Sequence, residues 1–326
     1  MKVLVTGGAG YIGSITTKAL LDAGHKVCIF DSLELGHRAA IDPRAELLVG
    51  DLRQENDIDR AMAGAAPDAV MHFAAYALVG ESCQQPEKYF RNNVQGGLNL
   101  VEAMRRHKVP RIIFSSTCAT YGQPEKLPIT ENTPQQPTNP YGQSKLMLEE
   151  ILRWYGEIHD LSHISLRYFN ACGASGDLGE DHQPESHLIP NVLKVALGES
   201  EQVSIFGNDY NTPDGTCIRD YIHVEDLAAA HLAALTSGYS GALNLGTGRG
   251  FSVLEIVEAA RKVTGLDIPA RFEPRRPGDP AELVADPSLA AEVLGWHAAY
   301  TDPAAIIATA WQWHQRFPRG YAAEKS

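Results

Sequence analysis

Short apolar, β-branched runs recur through the first half of the chain, at Lys2–Thr6, Lys26–Phe30, Glu46–Val49, Ala69–Phe73, Arg111–Phe114 and Ile164–Arg167, each bounded by Gly, Asp or Pro. Runs of this length with such borders predict buried strands. The stretches between them, Tyr11–Ala23, Gln54–Ala63, Glu87–Arg106 and Tyr141–Ile158, space their apolar residues as helices do. Alternation of strand and helix implies right-handed crossovers and an α/β fold built on a doubly wound parallel sheet of Rossmann type, whose ligands sit beyond the carboxyl ends of the strands. The second half is less regular. Helices are predicted at Ile222–Ala234 and Phe251–Val263, with a strand Ala242–Leu245 between them. Proline and glycine gather at Gly173–Pro190, Asn208–Gly215 and Pro274–Pro280, where loops that handle a ligand are expected. The expected organisation is a first domain over residues 1–170 with a return segment near 222–250, then a smaller mixed α/β domain over 171–326. The polar tail beyond Pro318 is expected to fray.

Composition narrows the classes. Acidic residues outnumber basic ones 40 to 28, giving a net charge of −12. Such a chain is a poor partner for nucleic acid or an anionic membrane, both of which call for basic patches. No run approaches the ~18 apolar residues of a membrane span. Met1–Val5 passes at once into a strand and a Gly-rich loop, which is not a signal-peptide layout. The five cysteines are odd in number and lack Cys-x-x-Cys spacing, as expected for reduced thiols in a cytoplasmic protein. The twelve histidines are dispersed, with no His-x-x-x-His helix or Cys/His cluster, so no metal is expected.

Two motifs carry chemistry. Strand Lys2–Thr6 runs into Gly7-Gly8-Ala9-Gly10-Tyr11-Ile12-Gly13 and then a helix. Glycines here permit a tight turn and close backbone approach to a pyrophosphate, which the helix N-terminus faces. Asp31 closes the second strand 18 residues after Gly13. A carboxylate there accepts from the adenine ribose hydroxyls and repels a 2′-phosphate, which favours NAD over NADP. Asp51-Leu52, after the third strand, would flank the adenine; the lesser alternative for Asp51 is a helix N-cap. The second motif is Tyr141-Gly142-Gln143-Ser144-Lys145, which sets Tyr141 and Lys145 four apart on one helix face. A phenol is a poor base at neutral pH, and a neighbouring ammonium and a nicotinium ring would favour its phenolate. Ser115-Ser116-Thr117 follows the strand Arg111–Phe114, so its hydroxyls emerge where ligands bind. A strand-end hydroxyl, a Tyr and a Lys together make a site for hydride transfer beside a nicotinamide.

Through these motifs the chain resembles the extended short-chain dehydrogenases/reductases, and among them the UDP-hexose 4-epimerases. The matching stretches are TGGAGYIGS (6–14), HFAAYALVGES (72–82), FSSTCATYG (114–122), NPYGQSK (139–145), RYFNACGA (167–174), HLIP (187–190), IFGNDYNTPDGTCIRDYIHVEDLA (205–228) and RRPGD (275–279). The resemblance implies reversible C4 epimerisation of a UDP-sugar through a 4-keto sugar, with tightly held NAD. It gives Tyr141, Lys145 and Thr117 the catalytic roles. It places Gly7, Gly10, Tyr11, Ile12, Gly13, Asp31, Ser32, Asp51, Leu52, Phe73, Ala74, Ala75, Asn92, Ser115 and Phe169 at the cofactor, together with Tyr141 and Lys145. Asn170, His187, Leu188, Phe206, Arg219, Tyr221, Arg276, Asp279 and Leu283 would line the UDP-sugar site with Thr117 and Tyr141, the two arginines serving the diphosphate. The helices Glu87–Arg106 and Tyr141–Ile158 would pair with their mates in a homodimer.

Two departures from that family pattern stand out. Ala77 replaces a cofactor-contacting Lys of some members, and Leu283 stands where others carry a large aromatic or a small residue. Leu283 would leave partial room, so N-acetylated sugars are expected to turn over slowly. Dehydratases and decarboxylases of this fold need acidic residues after the strand-end Thr, whereas Cys118 and Ala119 follow Thr117 here. The remaining alternatives are a UDP-N-acetylhexosamine 4-epimerase, a UDP-xylose/arabinose 4-epimerase and a non-catalytic NAD-binding sensor.

Overall fold

The computed structural model describes residues 1–276 and 278–321. Pro277 of the RRPGD stretch and the last five residues of the tail lie outside them. Among the described residues thirteen strands follow one another: β1 (Lys2–Thr6), β2 (Lys26–Asp31), β3 (Glu46–Val49), β4 (Ala69–His72), β5 (Arg111–Thr117), β6 (Ser162–Tyr168), β7 (Asn170–Cys172), β8 (Val203–Phe206), β9 (Ile218–His223), β10 (Gly241–Leu245), β11 (Gly250–Ser252), β12 (Ala270–Glu273) and β13 (Glu282–Leu283). Seven of them form one sheet in the order β10-β6-β5-β4-β1-β2-β3, with every pairing parallel. The order reverses between β1 and β4, and such a switch point opens a crevice at the carboxyl edge.

Both faces of this sheet are covered, which is why its strands read as continuous apolar runs rather than alternating ones. On one face Val3, Val5, Ile29, Met71, Ile113 and Leu166 pack against Leu227, Ala230 and Ala234. On the other, Leu4, Phe30, Val70, Ile112 and Phe114 meet Ile58, Met62, Leu100, Met104, Leu148 and Leu152. The later part of the chain joins this core twice. Residues 224–245 supply the helix Val224–Thr236 and the edge strand β10, and residues 288–296 supply Ala290 and Trp296. The indole of Trp296 donates to the Asp226 carbonyl at 2.9 Å. Between these returns lie smaller sheets: β9 pairs with β11, β13 and β7, and β8 pairs with β12. Their core gathers Ile189, Val192, Leu193, Ile205, Tyr221, Phe251, Ile256 and Ile307.

Several predicted elements need correction. Ile222 and His223 close strand β9, and the helix begins only at Val224, because Ile218–His223 is buried along nearly its whole length and its backbone is taken by three partner strands. Phe251 likewise belongs to β11; the next helix starts after Ser252, whose hydroxyl forms a reciprocal capping box with Glu255. The predicted helix Glu87–Arg106 is three pieces, Pro86–Tyr89, a π-helical turn Phe90–Gln95, and Gly96–Arg106. The expected loop over Gly173–Pro190 gives way to a helix at Leu188. The tail is anchored before it leaves the described residues. Tyr321 is buried against Trp313, and its backbone N–H donates to Asp181 at 2.8 Å.

Candidate active site

The Gly-rich turn is assembled by close backbone approach. Gly7 has φ +74°, and a Cβ there would stand 2.5 Å from the Ala74 nitrogen; a Cβ on Gly13 would stand 2.1 Å from the Gly7 carbonyl oxygen. The turn is thus packed against the Phe73-Ala74 end of β4 at the switch point. The helix Tyr11–Asp22 begins at Gly10, which brings no side-chain cap to its first turn. The first N–H groups of a helix have no carbonyl one turn earlier, so those of Tyr11, Ile12 and Gly13 offer donors to an anion. Gly10 lies 3.4 Å, as a hypothetical Cβ, from the Gly7 oxygen. The buried Asp31 carboxylate accepts from Ala9 N–H at 3.0 Å and Leu33 N–H at 2.9 Å. Burial raises its pKa, and the two N–H donations oppose that rise. Lone pairs remain on both oxygens for further donors. A cradle without side chains, free helix N–H groups and a strand-end carboxylate fit a dinucleotide.

Around the cradle, Ser32 accepts from Glu34 N–H at 3.3 Å. Asp51 is held by Arg53, whose Nε donates at 2.8 Å, and does not cap the following helix, whose N-cap residue is Gln54. The Leu52 carbonyl receives Asn99 at 3.0 Å. The Phe73 ring packs, tilted by 35°, with its centre 4.6 Å from that of the His231 ring, and Ala75 is half-buried. Asn92 spends its amide on Asn93 at 3.0 Å. Asn93 is the buried connector that the sequence reading missed: it accepts from Tyr76 N–H and donates to the Ser144 hydroxyl, both at 3.0 Å. The π-helical turn, which breaks the helical spacing, carries it there.

The Tyr141 helix, Pro140–His159, opens with Asn139 capping Gly142 N–H at 2.8 Å and proline in its first turn. It lays Lys145 against β5, where Nζ donates to the Ser115 carbonyl at 2.8 Å. Burial drives Lys145 down to about 7, opposed by the charge of Glu149. The same burial raises the Tyr141 phenol, joined by the neighbouring Tyr168; a hydrogen bond with Thr117 lowers it only in part. The expected depression of Tyr141 by Lys145 is therefore not what the protein alone shows: dehydration raises the phenol, while Lys145 Nζ, 6.0 Å from the Tyr141 ring centre, donates to the Ser115 carbonyl instead. Thr117 also accepts from Ala119 N–H at 3.1 Å, and the Ser115 hydroxyl bonds to the Tyr168 hydroxyl. Behind them, buried Glu149 ties Arg167, Ser116 and Gln135 together, with Arg167 Nε at 3.1 Å from both carboxylate oxygens. Glu149 lies four residues beyond Lys145, a spacing that could have flagged it.

The substrate-side residues come from separate elements. In β7 and β9, Asn170 is in register with Tyr221, and Arg219 of β9 with Leu283 of β13. Leu283 packs with Cys118, Tyr121, Ile129 and Phe169, one residue from Thr117. Arg219 is buried and pairs with Asp279, also donating to the Pro280 carbonyl at 2.9 Å. Arg276 is exposed, its guanidinium 4.0 Å from the centre of the Phe206 ring. Leu188 packs at the edge of the second core. His187 is the residue set apart: its Nδ1 lies 2.8 Å from Glu180 and 2.9 Å from Glu185.

A phosphate-cradling turn at the switch point and a Tyr–Lys pair under a strand-end hydroxyl define an NAD-dependent enzyme of the short-chain type. Residues 3–246 match the NAD dependent epimerase/dehydratase family, and the chain belongs to it. It is 50% identical to the UDP-glucose 4-epimerase of Halalkalibacterium halodurans, over 99% of this chain and 98% of that one. Among solved structures, the UDP-glucose 4-epimerase from Bifidobacterium longum in complex with NAD+ and UDP superposes with a TM-score of 0.94 at 42% identity, covering 98% of this chain and 100% of that one. The Brucella ovis UDP-glucose 4-epimerase in complex with NAD gives 0.92 at 48% identity, covering 95% and 97%.

Proposed function

We propose that this protein interconverts UDP-galactose and UDP-glucose by oxidising and re-reducing the sugar C4 with bound NAD. The observation that carries the reading is the grouping of buried Thr117 and Lys145 with half-buried Tyr141 at the carboxyl edge of β5, on the same edge of the sheet as the Gly7–Gly13 cradle. Bound NAD supplies a hydride acceptor and a positive ring that favours the Tyr141 phenolate. Tyr141 takes the proton of the sugar 4-hydroxyl and later returns it. Thr117 hydrogen-bonds that phenolic oxygen, and Lys145, with a pKa near neutrality, holds or yields a proton next to it. Arg219, positioned by Asp279, and Arg276 over Phe206 grip the diphosphate, while Asn170, Tyr221 and Leu188 line the nucleotide end. Firm binding of UDP with a loosely held sugar ring lets the ring turn between the two half-reactions.

The acting unit is a homodimer. Leu98, Met147, Trp154 and Ile158 are exposed apolar residues on the two helices expected to meet their mates, with Trp154 51% and Ile158 64% exposed. Neighbouring apolar side chains left in solvent favour a partner face.

The test is incubation of purified protein with UDP-galactose, UDP-N-acetylglucosamine and UDP-xylose separately, with products resolved by chromatography. UDP-galactose should yield UDP-glucose, and Tyr141→Phe should lose that conversion while retaining NAD. Conversion of UDP-xylose without UDP-galactose overturns the hexose assignment, and unchanged turnover by Tyr141→Phe overturns the mechanism.

A further inference from the structure

The loop between β7 and the helix Leu188–Ala196 folds Glu180, His182, Glu185 and His187 onto one another, one ligand atom from each lying within 4.8 Å of all the others. His187 Nδ1 is 2.8 Å from Glu180 Oε1 and 2.9 Å from Glu185 Oε1. His182 Nδ1 is 3.2 Å from Glu180 Oε1 and 3.8 Å from Glu185 Oε2. Metal bonds of 2.0–2.1 Å to nitrogen and oxygen imply a tetrahedral edge of ~3.3 Å, in the middle of these separations.

The cluster is satisfied only in part: Glu185 Oε1 accepts from Ser186 N–H at 2.7 Å and from His187 N–H at 2.8 Å. His182 Nδ1 is screened from solvent and makes no hydrogen bond, although Glu180 Oε1 is near. His187 Nδ1 faces two carboxylate oxygens and can carry at most one proton. The carboxylate side chains are only 6% and 3% exposed. Among the described residues, neither pairs with a Lys or Arg. Two carboxylates held out of water call for positive charge, which here comes either from the protons of the two imidazoles facing them or from an ion that replaces those protons.

We propose that Glu180, His182, Glu185 and His187 bind one Zn2+ in a structural site. Two imidazole nitrogens and two carboxylate oxygens suit this borderline ion, and four protein ligands leave it no open position for catalysis. The expectation of no metal rested on helical His pairs and Cys/His clusters, and this set uses neither. The ion would fasten the loop at a junction: the Tyr11 ring, at the start of the cofactor-side helix, lies 6.3 Å from the His182 ring, and Leu188 follows His187 directly.

The test uses untagged, full-length protein carrying Cys83→Ser, which removes an exposed thiol that could bind zinc. After chelator treatment and dialysis, elemental analysis following addition of Zn2+ should find one ion per chain, and Co2+ in its place should give the visible bands of four-coordinate cobalt. His182→Ala and the milder Glu185→Gln should each weaken Zn2+ in competition with a chromogenic chelator by more than about 100-fold, since even an outer partner of a metal ligand is worth about 10–100-fold. Circular dichroism identifies a variant that fails to fold, and the other then decides. Absence of bound Zn2+, a six-coordinate cobalt spectrum, or undiminished affinity in a folded variant overturns the site. None of these readouts needs turnover, so the site stands or falls apart from the epimerase reading.

Discussion

Lys145→Met should make the protein more stable at low pH while removing its activity. Burial holds the Lys145 ammonium at about 7 instead of its ordinary 10.5. Between these values the unfolded chain carries the proton and the folded chain does not, so wild-type stability rises with pH from about 7 to 10.5. Below pH 7 the full cost of the buried charge is present, roughly 5 kcal/mol at 1.36 kcal/mol per pKa unit. Methionine lifts that cost and loses the hydrogen bond from Nζ to the Ser115 carbonyl, worth about 1–2 kcal/mol, leaving a net gain of about 3 kcal/mol. Unfolding entropy for 326 residues is about 0.7 kcal/mol/K, so each kcal/mol moves Tm by about 1.5 °C. Melts of both proteins at saturating NAD should therefore place the variant about 5 °C higher at pH 6. By pH 9.5 wild type should regain about 3 kcal/mol of that difference. Reading the change between two pH values cancels any constant difference in NAD affinity. A gap that does not vary with pH, or a variant less stable at pH 6, refutes the reasoning. Turnover should fall by about 100-fold or more throughout.

Other substitutions probe the supports. Glu149→Gln leaves Arg167, whose side chain is 7% exposed, without a counter-charge and should cost about 3–5 kcal/mol in a thermal melt; adding Arg167→Met to Glu149→Met should recover most of the loss. Gly13→Ala drives a methyl to within 2.1 Å of the Gly7 oxygen, a clash between backbone neighbours, so the purified protein should lose NAD and about 1–3 kcal/mol of stability. Wild type should convert UDP-N-acetylglucosamine with a lower kcat/KM than UDP-glucose, because Leu283 packs against Cys118 and Phe169 beside Thr117. Leu283→Ala should raise the ratio of the two while costing about 2–5 kcal/mol, and a wild-type preference for the acetylated sugar would contradict this account.

What could be read from the chain in advance follows from the forces that build each part. The large sheet is buried on both faces, so β1, β2, β4 and β5 leave uninterrupted apolar runs that no helix pattern imitates. The strand β9 is also buried, but its polar members Arg219, Asp220 and His223 are neutralised by tertiary partners. From sequence alone such residues look like a solvated approach to a helix, and the helix start slides into the strand. Ser252 and Glu255 announced the next helix by their spacing, and the Phe251 aromatic obscured it. The π-helical turn Phe90–Gln95 leaves no compositional mark, and so nothing in the sequence points to Asn93 as the buried connector to Tyr76 and Ser144.

The two ends of the candidate site differ in the same way. The cofactor end is made of backbone: glycines that admit close approach and N–H groups that no side chain replaces, all within one turn of sequence. A short spacing rule therefore captures it. The proposed substrate end draws side chains from β7, β8, β9, β13, a helix start and surrounding loops, which are brought together by short strands of two to six residues. No local period records that assembly, and only resemblance could place Arg219 beside Asp279. Net charge illustrates the same limit. A total of −12 argues against polyanionic partners, yet the groups that would meet a diphosphate are single arginines fixed by Asp279 and Phe206, and the pyrophosphate cradle carries no charged side chain at all. Summed charge governs long-range encounter with extended polyanions, whereas a small anion answers to the few dipoles and cations within hydrogen-bonding distance.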